Sequence, residues 1–262
     1  MTKLLKVDFY KMFKAKSFYV IGFILTALAA INSYLYAKIA LDTINERGPF
    51  LQFYNLNFFN TSFNIIQGVI TYISIFVVLF MCSEFSNGTI KNIATKGYHR
   101  ESIYLSKFIT SVVGSIIYIV CLALASYIPY FIILGNKDTD IFNMPEHFLS
   151  CFSILLLYIV TYLSISLLIA SLLRKSGISI FGVFALGLVA ALTSLFDMFL
   201  KNVVETDFKL SEYTLTNNLQ VLSGSLSSGI PNEDFLRIIL VPVSFLVASM
   251  VIGLVFFKKR DM

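Results

Sequence analysis

The chain has 262 residues, 57% of them hydrophobic and only 13% charged, with a mean hydropathy of +0.81. A water-soluble domain of this length could not solvate that balance, so the solvent for most of the chain is lipid. The formal charge of +5 does not point to nucleic acid, because the basic residues fall between apolar stretches, where they act as topology signals and lipid-headgroup contacts.

The chain opens with residues 2–16, where Leu5, Phe9, Met12 and Phe13 share one helical face and Lys3, Lys11 and Lys14 lie mostly on the other. This predicts an amphipathic helix along the inner leaflet; a solvated basic tail is the alternative. A bilayer core of about 30 Å needs roughly 20 apolar residues at about 1.5 Å each. Six stretches qualify: 18–37, 65–82, 108–134, 148–173, 177–200 and 236–257. Backbone groups cannot stay unpaired in hydrocarbon, and barrel strands would alternate in polarity, so all six are predicted helices. The expected fold is an all-α integral membrane protein, one domain over 1–262, with six transmembrane helices and an N-terminal interfacial helix. Ala27-Leu28-Ala29 resembles a signal-peptide cleavage site. The apolar run continues to Ala37, however, and six spans explain the charge map without cleavage.

Orientation follows from Lys and Arg. Lys3, Lys6, Lys11, Lys14 and Lys16, then Lys91, Lys96, Arg100 and Lys107, then Arg174 and Lys175, then Lys258, Lys259 and Arg260 fall on one side. That side is expected to be cytoplasmic and to hold both termini. Most of the 15 acidic residues fall on the other.

The first outer loop, 38–64, carries Phe50, Phe53, Tyr54, Phe58, Phe59 and Phe63, too aromatic for a simple linker. Asn60-Thr61-Ser62 and Asn87-Gly88-Thr89 match a glycosylation pattern by chance. The cytoplasmic segment 83–107 is the most informative polar stretch. Asn87-Gly88 signals a turn, Thr89, Ile90, Lys91, Asn92, Ile93, Ala94 and Thr95 can form a short helix, and Gly97 can close it in a left-handed cap. Ile90, Ile93 and Ala94, with Tyr98 beyond, are placed to enter a groove on a cytoplasmic partner while Lys91, Lys96 and Arg100 meet acids around it. An ordinary topogenic loop explains the same residues.

The short connections 136–147 and 174–176 predict antiparallel hairpins. The last outer loop, 201–235, with its Ser/Gly-rich stretch at 223–229, is expected to hold short helices over the outer mouth. Pro129 and Pro242 can kink the third and sixth spans.

Catalytic chemistry lacks its parts. The two histidines, His99 and His147, are predicted on opposite sides of the bilayer, and no H-E-x-x-H helix, Ser-His-Asp set or phosphate-binding Gly-rich loop is present. Cys82, Cys121 and Cys151 show neither a disulfide framework nor metal spacing. The inner halves of the spans carry no coupling charge of the kind ion-driven carriers use. Glu84, at the end of span two, and Asp197, near the outer end of span five, are the nearest candidates. Asp197 is kept as an outer substrate or gate residue, against a helix-end role.

Glu84, Gly88-Thr89, Gly97, Arg100 and Ser106-Lys107 resemble the first cytoplasmic loop of ABC-2-type transporter permeases. The layout of interfacial helix, six spans, tight loop between spans four and five and longer outer loop before span six resembles a type V ABC exporter. The resemblance implies a bacterial plasma-membrane permease that dimerises with itself or a similar chain and binds two separately encoded ATPase subunits. ATP and Mg would sit on those subunits, and no cofactor on this chain. It assigns Thr89–Thr95 as the coupling helix and Glu84, Gly88, Gly97, Arg100 and Lys107 as structural or docking positions. Small permeases of this class resemble immunity proteins that expel lantibiotics, bacitracin-like or other amphipathic peptides, and an acidic outer surface would attract cationic ones. A non-transporting scaffold or sensor, or an ion-coupled carrier or channel, remains the alternative.

Overall fold

A computed structural model describes residues 1–46, 57–135, 142–203 and 209–259. Phe50, Phe53 and Tyr54 of the aromatic loop lie outside the described residues. All the regular structure described is helical: α1 (Thr2–Lys14), α2 (Lys16–Glu46), α3 (Phe58–Ser86), α4 (Thr89–Thr95), α5 (Arg100–Leu134), α6 (Phe148–Leu173), α7 (Ser176–Val203), α8 (Leu215–Ser228) and α9 (Asn232–Lys259), with a 3-10 turn at Leu210–Tyr213. Six of these helices, α2, α3, α5, α6, α7 and α9, are long and apolar enough to cross a bilayer.

α3 is the spine. It touches α2 and α5 on one side and α6 and α7 on the other, while α2 packs along α5 and α9 along α6. Its apolar positions Phe63, Ile66, Ile70, Ile73, Val77 and Phe80 recur every three or four residues and, with Phe76 and Val78 beside them, are all buried, the pattern of a helix with neighbours on most of its circumference. α7 and α2, by contrast, present long exposed rows of Phe, Leu and Ile, as helices at a lipid boundary do.

Chain breaks are made locally. Ala15 adopts extended backbone (φ −70°, ψ 119°) between α1 and α2, and Arg174 takes the left-handed conformation (φ 56°) that ends α6 and turns the chain into α7. The kink expected at Pro242 is chemically compensated. Proline has no N–H to give the carbonyl four residues back, and that carbonyl, Ile238 O, accepts instead from the Tyr158 hydroxyl at 3.0 Å. The Pro242 carbonyl accepts from Thr161 Oγ1 at 3.1 Å.

Three sequence expectations are corrected. The first span runs on to Glu46, and α3 begins at Phe58, so Phe58, Phe59 and Phe63 are helical; the Phe58 ring stands edge-on to Tyr130 at 5.6 Å. In α1, the buried residues are Leu4, Asp8 and Met12, a face rotated from the expected one, and Phe13 is exposed. Met12 is seated beside Gly114 of α5, where a Cβ would come within 2.9 Å of its sulfur. The packing stripe on α5, rather than the apolar count on α1, sets the rotation.

The third correction concerns α8. It does not cap the bundle: it inserts against α3, α6, α7 and α9. Cys151 Sγ donates to Ser225 O at 3.8 Å, and farther along α6 Tyr162 OH is 3.2 Å from Thr216 Oγ1. Tyr162 lies about 21 Å along α6 from Phe148 at roughly 1.5 Å per residue, so the start of α8 reaches the middle of the span. Leu215, Leu219, Leu222 and Leu226 form the buried stripe that holds it there.

Candidate docking helix and its buried ionic anchor

The helix Thr89–Thr95 is punctuated by two glycines in the left-handed region, Gly88 (φ 64°) and Gly97 (φ 85°), a conformation that side chains with a Cβ rarely adopt. Its orientation differs from the expected one. Ile90 is 2% exposed and belongs to the bundle core, with Ile93 and Tyr98 packed partly against it. Ile90 is therefore the root of α4, not a side chain offered to a partner. The surface left outward is polar and basic: Lys91, Asn92, Thr95 and Lys96 are exposed.

Glu84, in the last turn of α3, is buried, as is Lys107, in the second turn of α5. Lys107, expected in the loop, is a wholly buried bundle residue at 0% side-chain exposure, out of reach of a docking subunit. Its Nζ lies 2.5 Å from Asp8 Oδ1 and 2.9 Å from Glu84 Oε2, over the Phe80 ring at 4.9 Å. Ser106 Oγ donates to Asp8 Oδ2 at 2.6 Å, and Lys11 Nζ lies 3.1 Å from Glu84 Oε1 at the half-exposed edge. Two carboxylates thus face two ammonium groups. A buried ion is tolerable only when its charge and hydrogen-bonding capacity are both answered.

The cluster joins α1, α3 and α5, and α4 packs on α3. Arg100 is placed differently: its guanidinium donates to the Lys258 carbonyl at 3.2 Å, and Glu101 pairs with Lys258 at 2.8 Å, so the start of α5 holds the end of α9. The ends of α3 and α9, the start of α5, and α1 and α4 therefore meet at one basic end of the bundle.

Asp197, the outer gate candidate, accepts from Leu210 N and Ser211 N at 2.7 Å each. Both carboxylate oxygens fasten the 3-10 turn to α7. Nearby, Arg237 of α9 pairs with Glu212 and, at 2.6 Å, with Asp234. His99 begins α5 and His147 begins α6.

Asp8 escaped sequence reasoning, and Lys11 was placed on the solvated face. A signal was present, since Asp8 is the sole acid before Asp42, set among lysines and four residues from both Leu4 and Met12.

Six apolar helices around a charge-poor interior, with a short basic helix at the end that holds the termini, define a multipass transport-type membrane subunit. The model of the ABC-2 family transporter proteins matches residues 4–194, and the chain belongs to that family. No curated protein matches the chain significantly. Membership makes it a membrane subunit that is not itself catalytic, and implies an ABC ATPase as its partner.

Proposed function

We propose that the chain is the dimeric permease subunit of an ATP-binding cassette exporter, with its basic end and both termini in the cytoplasm of a bacterial plasma membrane. Two copies of a separate ATPase, carrying ATP and Mg, dock on α4 and move the spans through it. The cargo is an amphipathic peptide of the antimicrobial kind, expelled outward or off the membrane.

The observation that carries this is the geometry of α4. Its exposed face is hydrophilic and basic, its root Ile90 is buried in the bundle, and it packs on α3, whose Glu84 belongs to the buried cluster that ties α1, α3 and α5 together. A push on α4 is therefore delivered to α3 and, through Glu84 and Lys107, to the helices paired with it. Lys91 and Lys96 suit an acidic-rimmed groove, where complementary charge sets approach and register.

The test is co-expression with a separately encoded ABC ATPase. Co-purification, and ATP hydrolysis stimulated by an amphipathic peptide, are expected. A chain that purifies alone with any such ATPase, and leaves its hydrolysis unchanged, would be a scaffold or sensor instead.

A further inference from the structure

We propose that the seam between α3 and α8 binds an apolar peptide segment by its uncharged backbone. The proposal rests on the peptide-permease assignment above and names where the cargo lies. A cavity of about 370 Å³ opens between α3, α6, α7 and α8, and none of its 13 lining residues is charged. One wall is a double row of amides and hydroxyls: Asn64, Gln67 and Thr71 from α3 face Thr216, Gln220 and Ser223 from α8. Each row follows helical spacing. The apolar lining comes from Val183 and Leu186 of α7 and from Ile70 and Leu219, which lie beside the polar rows on α3 and α8.

These amides are short of partners. Gln67 Oε1 is buried and accepts no hydrogen bond among the described residues, while Asn64 and Gln220, which line the same cavity, are exposed. Something carrying its own donors and acceptors is needed to complete them. The absence of charge selects against ionised groups, whose desolvation would go unanswered. The mixed lining selects further. A sugar is polar on all faces and would bury hydroxyls against Val183 and Leu186. A peptide with apolar side chains shows amides along one edge and hydrocarbon along the other. The volume is at the lower end of ligand cavities, about 300–1,000 Å³, which suits a short segment of a longer molecule.

The experiment uses the full-length chain in lipid nanodiscs and an acetylated, amidated, leucine-rich pentapeptide carrying a diazirine. Labelling should map to α3 and α8, fall roughly tenfold when Gln67→Leu and Gln220→Leu remove the polar partners, and be weak for a lysine-bearing version of the probe. Gly187→Leu should block labelling independently, because a Cβ added there meets no atom within 4 Å and the new side chain fills the cavity without disturbing the amides. Labelling elsewhere, or labelling unchanged in both variants, overturns the site. Displacement by glycosyl diacylglycerol but not by unlabelled peptide overturns the peptide assignment. ATPase association is measured alongside: if it persists while labelling fails, the site is wrong and the permease assignment stands.

Discussion

Lys107 and Asp8, 99 positions apart in sequence, meet at 2.5 Å with both side chains out of contact with solvent. Their pairing fixes the interfacial helix to the third span. Replacing Lys107 by Met leaves Asp8 buried without its cation, with only Lys11 near Glu84, and is expected to cost about 3–5 kcal/mol. The double variant Lys107→Met, Asp8→Leu should recover much of that, because both charges leave together. Thermal unfolding of the four forms of this cycle in detergent measures the coupling; additive losses would contradict it.

The two faces of α4 should separate in experiment. Ile90→Asp places a charge in the core and should lower thermal stability outright. Lys91→Glu with Lys96→Glu, on the exposed face, should leave unfolding within about 0.5 kcal/mol yet weaken ATPase association. The wild-type association should weaken in turn as salt rises.

Gly114 should be intolerant of a side chain. A Cβ there would lie 2.9 Å from Met12 Sδ and 3.2 Å from Phe76. Gly114→Val is expected to destabilise by about 1–3 kcal/mol through overpacking. Met12→Ala in the same chain should relieve part of the loss, and the unfolding temperatures of the single and double variants report it.

Asp197→Ala would leave two N–H groups of the 3-10 turn without their carboxylate acceptors and should loosen that turn. Amide hydrogen exchange at residues 210 and 211 should accelerate while the rest of the bundle is unchanged. A transport defect with unaltered exchange there would restore its assignment as a gate.

The spans were legible in the sequence because length and hydropathy suffice to place a helix in lipid, and α4 because Gly88 and Gly97 bracket it. The direction in which α4 faces was not: seven residues are too few for periodicity to distinguish Ile90 as root from Ile90 as ligand, and contact with α3 decides it. Lys107 looked like a loop residue, and Asp8 drew no attention, because only tertiary packing brings them together. The Ser/Gly-rich stretch at 223–229 pointed to short helices over the mouth, yet the leucines at 215, 219, 222 and 226 follow helical spacing and are all buried, which draws α8 into the bundle.

Photo-crosslinking in cells tests the central claim most directly, with benzoylphenylalanine placed at Asn92 on the exposed face of α4 and, for comparison, at Tyr213, which is exposed at the opposite end of the bundle. Adducts with an ABC ATPase from position 92 and none from 213 are predicted. ATPase adducts from 213 and none from 92, or from neither position in cells that make the ATPase, would contradict docking through α4.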